Sequence, residues 1–186
     1  MTTNSSAAAP AAAPAAEPAA EPAGLLQPGV SAPDFTLKAT ADQELSLSEL
    51  RGNPVVLVFY PADWSPVCGD ELLVFNQALP LLRKYNATVL GISVDSVWSH
   101  QAFEQDRKLG FDLLADYQPK GAVARSYGVY DEQGGFDKRA LFVIDGAGVI
   151  FWSYLSPTAI NPGVDGVLDA LDRLQHTSST TTPAQQ

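Results

Sequence analysis

The chain holds one cysteine, Cys68, within the segment Tyr60-Pro61-Ala62-Asp63-Trp64-Ser65-Pro66-Val67-Cys68-Gly69-Asp70-Glu71. A lone thiol is either an inert apolar side chain or a nucleophile, and its surroundings decide which. Residues 55–60 read VVLVFY, a run with no polar face, as expected of a strand covered on both sides. A loop follows over residues 61–67, after which Leu72, Phe75, Leu79 and Leu82 recur at helical spacing. Cys68 is therefore expected at a strand-loop-helix junction, in the first turn of the helix. Backbone N–H groups without intrahelical acceptors and the positive end of the helix dipole meet there, and both favour thiolate over thiol. Such a loop also leaves the strand on the side of an α/β sheet where ligands usually bind.

The neighbours of Cys68 carry a second signal. Pro61, Ser65 and Cys68 have the spacing Pro-x-x-x-Thr/Ser-x-x-Cys, with Glu71 three residues beyond. This resembles the signature of the peroxiredoxins. The segments Gly29-Val30-Ser31-Ala32-Pro33-Asp34-Phe35-Thr36-Leu37 and Leu45 through Arg51-Gly52 resemble the opening of that family. Gly91-Ile92-Ser93-Val94-Asp95-Ser96 and Arg139-Ala140-Leu141-Phe142-Val143-Ile144-Asp145 resemble segments of its bacterioferritin-comigratory and one-cysteine branches. The likeness spans residues 26–174 and implies a thioredoxin-like fold and a thiol-dependent hydroperoxide reductase of the alkyl hydroperoxide reductase or bacterioferritin-comigratory-like kind.

By that resemblance the Cys68 thiolate attacks the terminal oxygen of a hydroperoxide and becomes a sulfenic acid. Ser65 and Arg139 correspond to the hydroxyl and guanidinium that donate to sulfur and peroxide, Pro61 to the proline that shields the site, and Glu71 to a position where many members have glutamate. Donors of both kinds suit negative charge developing on oxygen. Trp64 departs from the pattern and is read as an apolar wall beside the thiol or a packing residue. His100, near the start of a later helix, is expected on the surface and is given no role.

Magnitudes show why the donors matter. Lowering a thiol pKa from about 8.5 to about 6 raises the thiolate fraction at pH 7 roughly 30-fold. A Brønsted slope of about 0.45 takes back roughly 13-fold in nucleophilicity, leaving about a twofold gain. The rest must come from placing and polarising the O–O bond, the work the resemblance gives to Ser65 and Arg139.

Residues 64–68, Trp-Ser-Pro-Val-Cys, also resemble the Trp-Cys-x-x-Cys site of thioredoxins, but the attacking cysteine is replaced by Ser65, which removes dithiol exchange. Leu73 stands where members of the bacterioferritin-comigratory branch often carry a resolving cysteine. The expected cycle is one-cysteine, reset by an external thiol: a low-molecular-weight thiol, a glutaredoxin-like protein or a thioredoxin. The resemblance also implies a homodimer. A redox sensor or binding module on the same scaffold is the competing reading, and would show ordinary thiol kinetics.

The elements that must position these residues alternate. Strands are expected at residues 35–37, 55–60, 88–94, 113–115, 140–145 and 149–154. A helical turn at 47–50 opens with Ser46 as cap and Glu49 three residues on. Helices are expected from Cys68, with Pro80 bending or dividing the first, then at 97–109, from Pro119, and at 164–174. Asp145-Gly146-Ala147-Gly148 reads as a hairpin turn. Alternating strands and helices with a hairpin near the end give the α/β class, a central mixed sheet flanked by helices.

Residues 1–24 are almost entirely Ala, Pro, Ser, Thr and Glu, and residues 177–186 are as poor in apolar side chains. Neither is expected to bury enough to offset its ordering entropy, so both are read as disordered flanks of one domain over residues 25–176. That domain carries 19 acidic against 11 basic side chains, which disfavours nucleic acid. No apolar run is long enough to span a bilayer. One cysteine and two histidines make no zinc set, and no cofactor is implied. The N-terminus lacks the cationic start and leucine-rich stretch of a secretory signal, so a cytoplasmic location is expected.

Overall fold

A computed structural model describes residues 24–180 of the chain. It begins with a hairpin, β1 (Thr36–Lys38) and β2 (Glu44–Ser46), followed by a 3-10 turn at Leu47–Leu50. There follow β3 (Val55–Phe59), α1 (Pro66–Leu82), β4 (Thr88–Ser93), α2 (Val97–Arg107) and β5 (Asp112–Ala115). A five-residue helix α3 (Ala122–Ser126) and the hairpin β6 (Tyr130–Asp131) and β7 (Phe136–Asp137) lead to β8 (Ala140–Ile144), β9 (Ile150–Leu155) and α4 (Asp165–Thr180). Seven strands form one mixed sheet in the order β2-β1-β5-β4-β3-β8-β9.

The apolar run at residues 55–60 explains the centre of this sheet. Strand β3 pairs in parallel with β4 and antiparallel with β8, so both of its edges are hydrogen-bonded. Its side chains alternate between faces: Val55, Leu57 and Phe59 enter one core with Leu90, Ile92, Phe142 and Tyr127. Val56, Val58 and Tyr60 enter the other with Cys68, Leu72 and Phe75 of α1, Phe103 of α2 and Val167 and Leu171 of α4. Each Leu, Val or Phe so buried stabilises the fold by about 1.5–3 kcal/mol. Gly91 of β4 is needed between these layers, because a side chain there would collide with Leu113 and stand 3.3 Å from the Tyr60 ring.

Several local expectations change. Helix α1 runs unbroken through Pro80, which is exposed and lies two residues from its end. The lost hydrogen bond is outweighed by the burial of Phe75, Ala78, Leu79 and Leu82 on either side of it. Helix α2 stops at Arg107 because Lys108 is left-handed at φ 53°. Helix α3 starts at Ala122 rather than Pro119, after Gly121 at φ 68°, and Asp116 accepts from the Ala124 N–H at 2.9 Å. Helix α4 continues to Thr180, past residue 177 where a tail is expected to begin. The rest of that tail and residues 1–23 of the N-terminal arm lie outside the described residues. The turn after β8 is built as read: Asp145 Oδ1 accepts from the N–H groups of Ala147 and Val149 at 2.9 and 2.8 Å. Among the described residues no helix is long and apolar enough to cross a membrane.

Candidate active site

Strands β3, β4 and β5 run parallel, so the loops leaving them gather at one edge of the sheet, where β8 begins. After Tyr60 the chain turns at Pro61, which is buried, and enters α1 through Ser65 in an extended conformation. Ser65 is the N-cap, Pro66 fills the first helical position where a missing N–H costs nothing, and Gly69 N–H donates to the Ser65 carbonyl at 2.8 Å. The Ser65 hydroxyl makes no capping bond and is left available. Cys68 is the third residue of the helix and is wholly buried.

Glu71 follows Cys68 by three residues, so one helix face carries both. Arg139, next to β8, meets them from across the sheet. Its Nη2 lies 3.3 Å from Cys68 Sγ and its Nη1 donates to Glu71 Oε2. On its other side Nε and Nη2 each donate to the Thr158 carbonyl at 3.0 Å. The guanidinium is buried and held from two directions, with one nitrogen turned to the sulfur. Burial pushes the Glu71 carboxyl up and Arg139 only partly offsets this, leaving it at about 7. A donor fixed beside the sulfur is placed to stabilise charge on an oxygen that approaches it.

The structure thus brings Cys68, Glu71 and Arg139 together and puts Ser65 and Pro61 at the mouth of the same helix. Of the two expectations for Trp64, the structure favours a packing residue: it is 51% exposed, at φ 62°, and turns to α2. Its Nε1 donates to Ser99 Oγ at 3.3 Å and its ring meets Phe103 edge-on at 5.1 Å.

His100 is a clear correction, being fully buried rather than on the surface. Its Nδ1 lies 3.0 Å from Asp63 Oδ2, and Asp63 also accepts from Tyr60 Oη at 2.8 Å and Ser99 Oγ at 2.7 Å. Burial raises the Asp63 carboxyl, but the bonds from His100, Ser99 and Tyr60 outweigh it and hold the group below its ordinary value. The i, i+3 spacing of His100 and Phe103 on one helix face was the available sign of burial. Nothing near His100 in the sequence announced its partner 37 residues earlier. Thr158, on a loop with no periodicity, left no sign at all.

A mixed sheet that sets a buried thiol in the first turn of a helix, with an arginine on its sulfur, defines a thiol-dependent peroxidase on a thioredoxin-like fold. Comparison with known proteins agrees. The family model described as AhpC/TSA matches residues 28–153. Peroxiredoxin-2 of Mus musculus is 37% identical over 165 residues, covering 83% of this chain and 82% of its own. The reduced 2-Cys peroxiredoxin of Plasmodium vivax superimposes with a TM-score of 0.76 at 27% identity, covering 87% of this chain and 89% of that one. AhpC of Mycobacterium tuberculosis superimposes at 0.71 with 27% identity, over 81% of this chain and 99% of its own. The chain belongs to the AhpC/TSA family of peroxiredoxins.

Proposed function

We propose that the protein reduces hydrogen peroxide and organic hydroperoxides in a one-cysteine cycle, with Cys68 as nucleophile, Ser65 and Arg139 as donors to the reacting atoms and Pro61 as shield. The observation that carries this reading is the Arg139 guanidinium, fixed by Glu71 and the Thr158 carbonyl with Nη2 3.3 Å from Cys68 Sγ. In the first step the thiolate attacks the terminal oxygen, the S–O bond forms as O–O breaks, and the leaving alkoxide or hydroxide takes a proton. The products are Cys68–SOH and an alcohol or water. Glu71 orients Arg139 and does not touch the sulfur.

The reset follows from composition. With no second cysteine in the chain, a partner copy would offer only its own Cys68. An external thiol attacks the sulfenic sulfur, water leaves, and a mixed disulfide forms; a second thiol then releases Cys68 as the other two sulfurs join. The reductant is a thioredoxin-like or glutaredoxin-like protein or a low-molecular-weight thiol, the acting form is a homodimer, and the compartment is the cytoplasm, where such thiols are kept reduced.

The test is stopped-flow mixing of reduced protein with each peroxide, with the sulfenic acid identified by mass spectrometry. The expected rate constant lies orders of magnitude above that of free cysteine, is abolished in Cys68→Ser and falls about 10²-fold or more in Arg139→Ala, as for loss of a charge-stabilising donor. A rate equal to free cysteine's overturns the peroxidase assignment of this site and leaves a redox sensor on the same fold.

A further inference from the structure

We propose that Asp63 and His100 are a pair of positioning residues which, through Tyr60 and Ser99, clamp the loop before Cys68 onto α2 and so set how fast the thiol reacts. The inference rests on Cys68 being the nucleophile, and neither residue touches its sulfur.

Asp63 stands five residues before Cys68 and is buried. Its carboxylate receives side chains from two other elements: Tyr60 at the end of β3, and Ser99 and His100 in the first turn of α2. An ionised carboxylate only accepts, so His100 must carry its proton on Nδ1 and Tyr60 must donate. The backbone is fixed as well, since Asp63 N–H donates to Asp95 Oδ2 at 2.8 Å and Ser93 Oγ donates to the same oxygen at 2.8 Å. His100 Nε2 is buried without a partner, so the imidazole is held from the Nδ1 side alone.

The residue these bonds control is the next one. Trp64 has φ 62°, a left-handed conformation that bulky side chains avoid and that persists only where the surroundings over-determine it. Two of those constraints come from α2: the Phe103 ring under the indole, and Ser99 Oγ, which accepts from Trp64 Nε1 while donating to Asp63. Ser99 is thus the joint between clamp and strained residue. Trp64 in turn aims Ser65, the N-cap from which the Cys68 turn of α1 begins. Letting Trp64 relax would rotate Ser65 and the first turn relative to Arg139, which Glu71 holds from one side but the Thr158 carbonyl, outside α1, holds from the other. Displacements of about 1 Å in such a constellation cost up to about 10²-fold in rate.

The experiment compares His100→Leu, His100→Asn, Asp63→Asn and Ser99→Ala with the wild type. It measures the peroxide rate constant, the rate of Cys68 alkylation by iodoacetamide against pH, and thermal stability. His100→Leu and Asp63→Asn are expected to lower the peroxide rate about tenfold to a hundredfold and to shift the alkylation pH profile. His100→Asn, whose amide N–H falls where Nδ1–H was, is expected to recover most of both. A folded His100→Leu protein with wild-type rate and alkylation profile overturns the proposal, as does an Asn variant no better than Leu. Should His100→Leu fail to fold, Ser99→Ala decides: a several-fold loss with an altered profile supports the clamp, and unchanged values overturn it. Alkylation needs no peroxide, so a wild type slow towards peroxide sinks the peroxidase reading while the clamp is still judged by the alkylation profiles.

Discussion

Glu71 binds a proton in the folded protein up to about pH 7, against 4.5 for an ordinary glutamate. The folded state therefore holds a proton that the unfolded state has lost between those values. Its stabilising effect is fully present below about pH 4.5 and is lost as pH rises through 7, by about 3 kcal/mol at most. Urea denaturation across this range should show the wild type losing stability relative to Glu71→Gln as pH rises, and parallel curves would contradict the assignment. Gln mimics the protonated carboxyl, so the peroxide rates of the wild type and Glu71→Gln are expected to agree below about pH 7 and to part above it, where the ionised wild-type carboxylate stands against Arg139. Arg139→Lys is expected to lose most of the activity, because one ammonium cannot serve Glu71, Thr158 and sulfur at once. Cys68, Glu71 and Arg139 were legible in the sequence because each lies in a segment with a family pattern. Asp63 and His100 were not, since a hydrogen bond across 37 positions leaves no periodic trace.

Elements were legible in proportion to the regularity of their burial. The VVLVFY run fixed the central strand to within a residue, and α1 showed through its apolar spacing. Pro80 misled because intrinsic helix preference is weaker than the burial of Leu79 and Leu82 beside it. Strands β2, β6 and β7, two or three residues long, are too short to carry a period and exist because a partner strand pairs with them. Tight layering at β4 makes a further expectation: Gly91→Ala should destabilise the protein by about 1–3 kcal/mol. Its new methyl meets Leu113, which is wholly buried and has nowhere to swing. Chemical denaturation gives the value, and a neutral substitution would show that β4 and β5 can part there.

Across the whole molecule, the site is assembled from the end of β3, the start of α1, the start of β8 and the loop before α4. No contiguous piece contains it, so the thiol chemistry depends on the complete sheet. Outside the site, Trp98 and Tyr117 are exposed and line a groove of about 560 Å³ with Thr36, Leu37 and Lys38. Large aromatics left in water beside such a groove commonly mark association surfaces. Sedimentation velocity is expected to give a dimer, weakened by Trp98→Arg; a monomer at all concentrations would remove that part of the proposed function.

Cys68 is completely buried, so anything that reacts with its sulfur must first be let in. A hydroperoxide is small enough to need only a slight opening, whereas a thiol carried on a protein needs the first turn of α1 to move aside. The two halves of the cycle then obey different rate laws. Oxidation should rise linearly with peroxide, while reduction by a protein thiol should level off at the rate at which that turn opens. An opening that admits one peroxide also admits a second, so the waiting sulfenic acid is open to sulfinic acid in the interval before the turn unwinds.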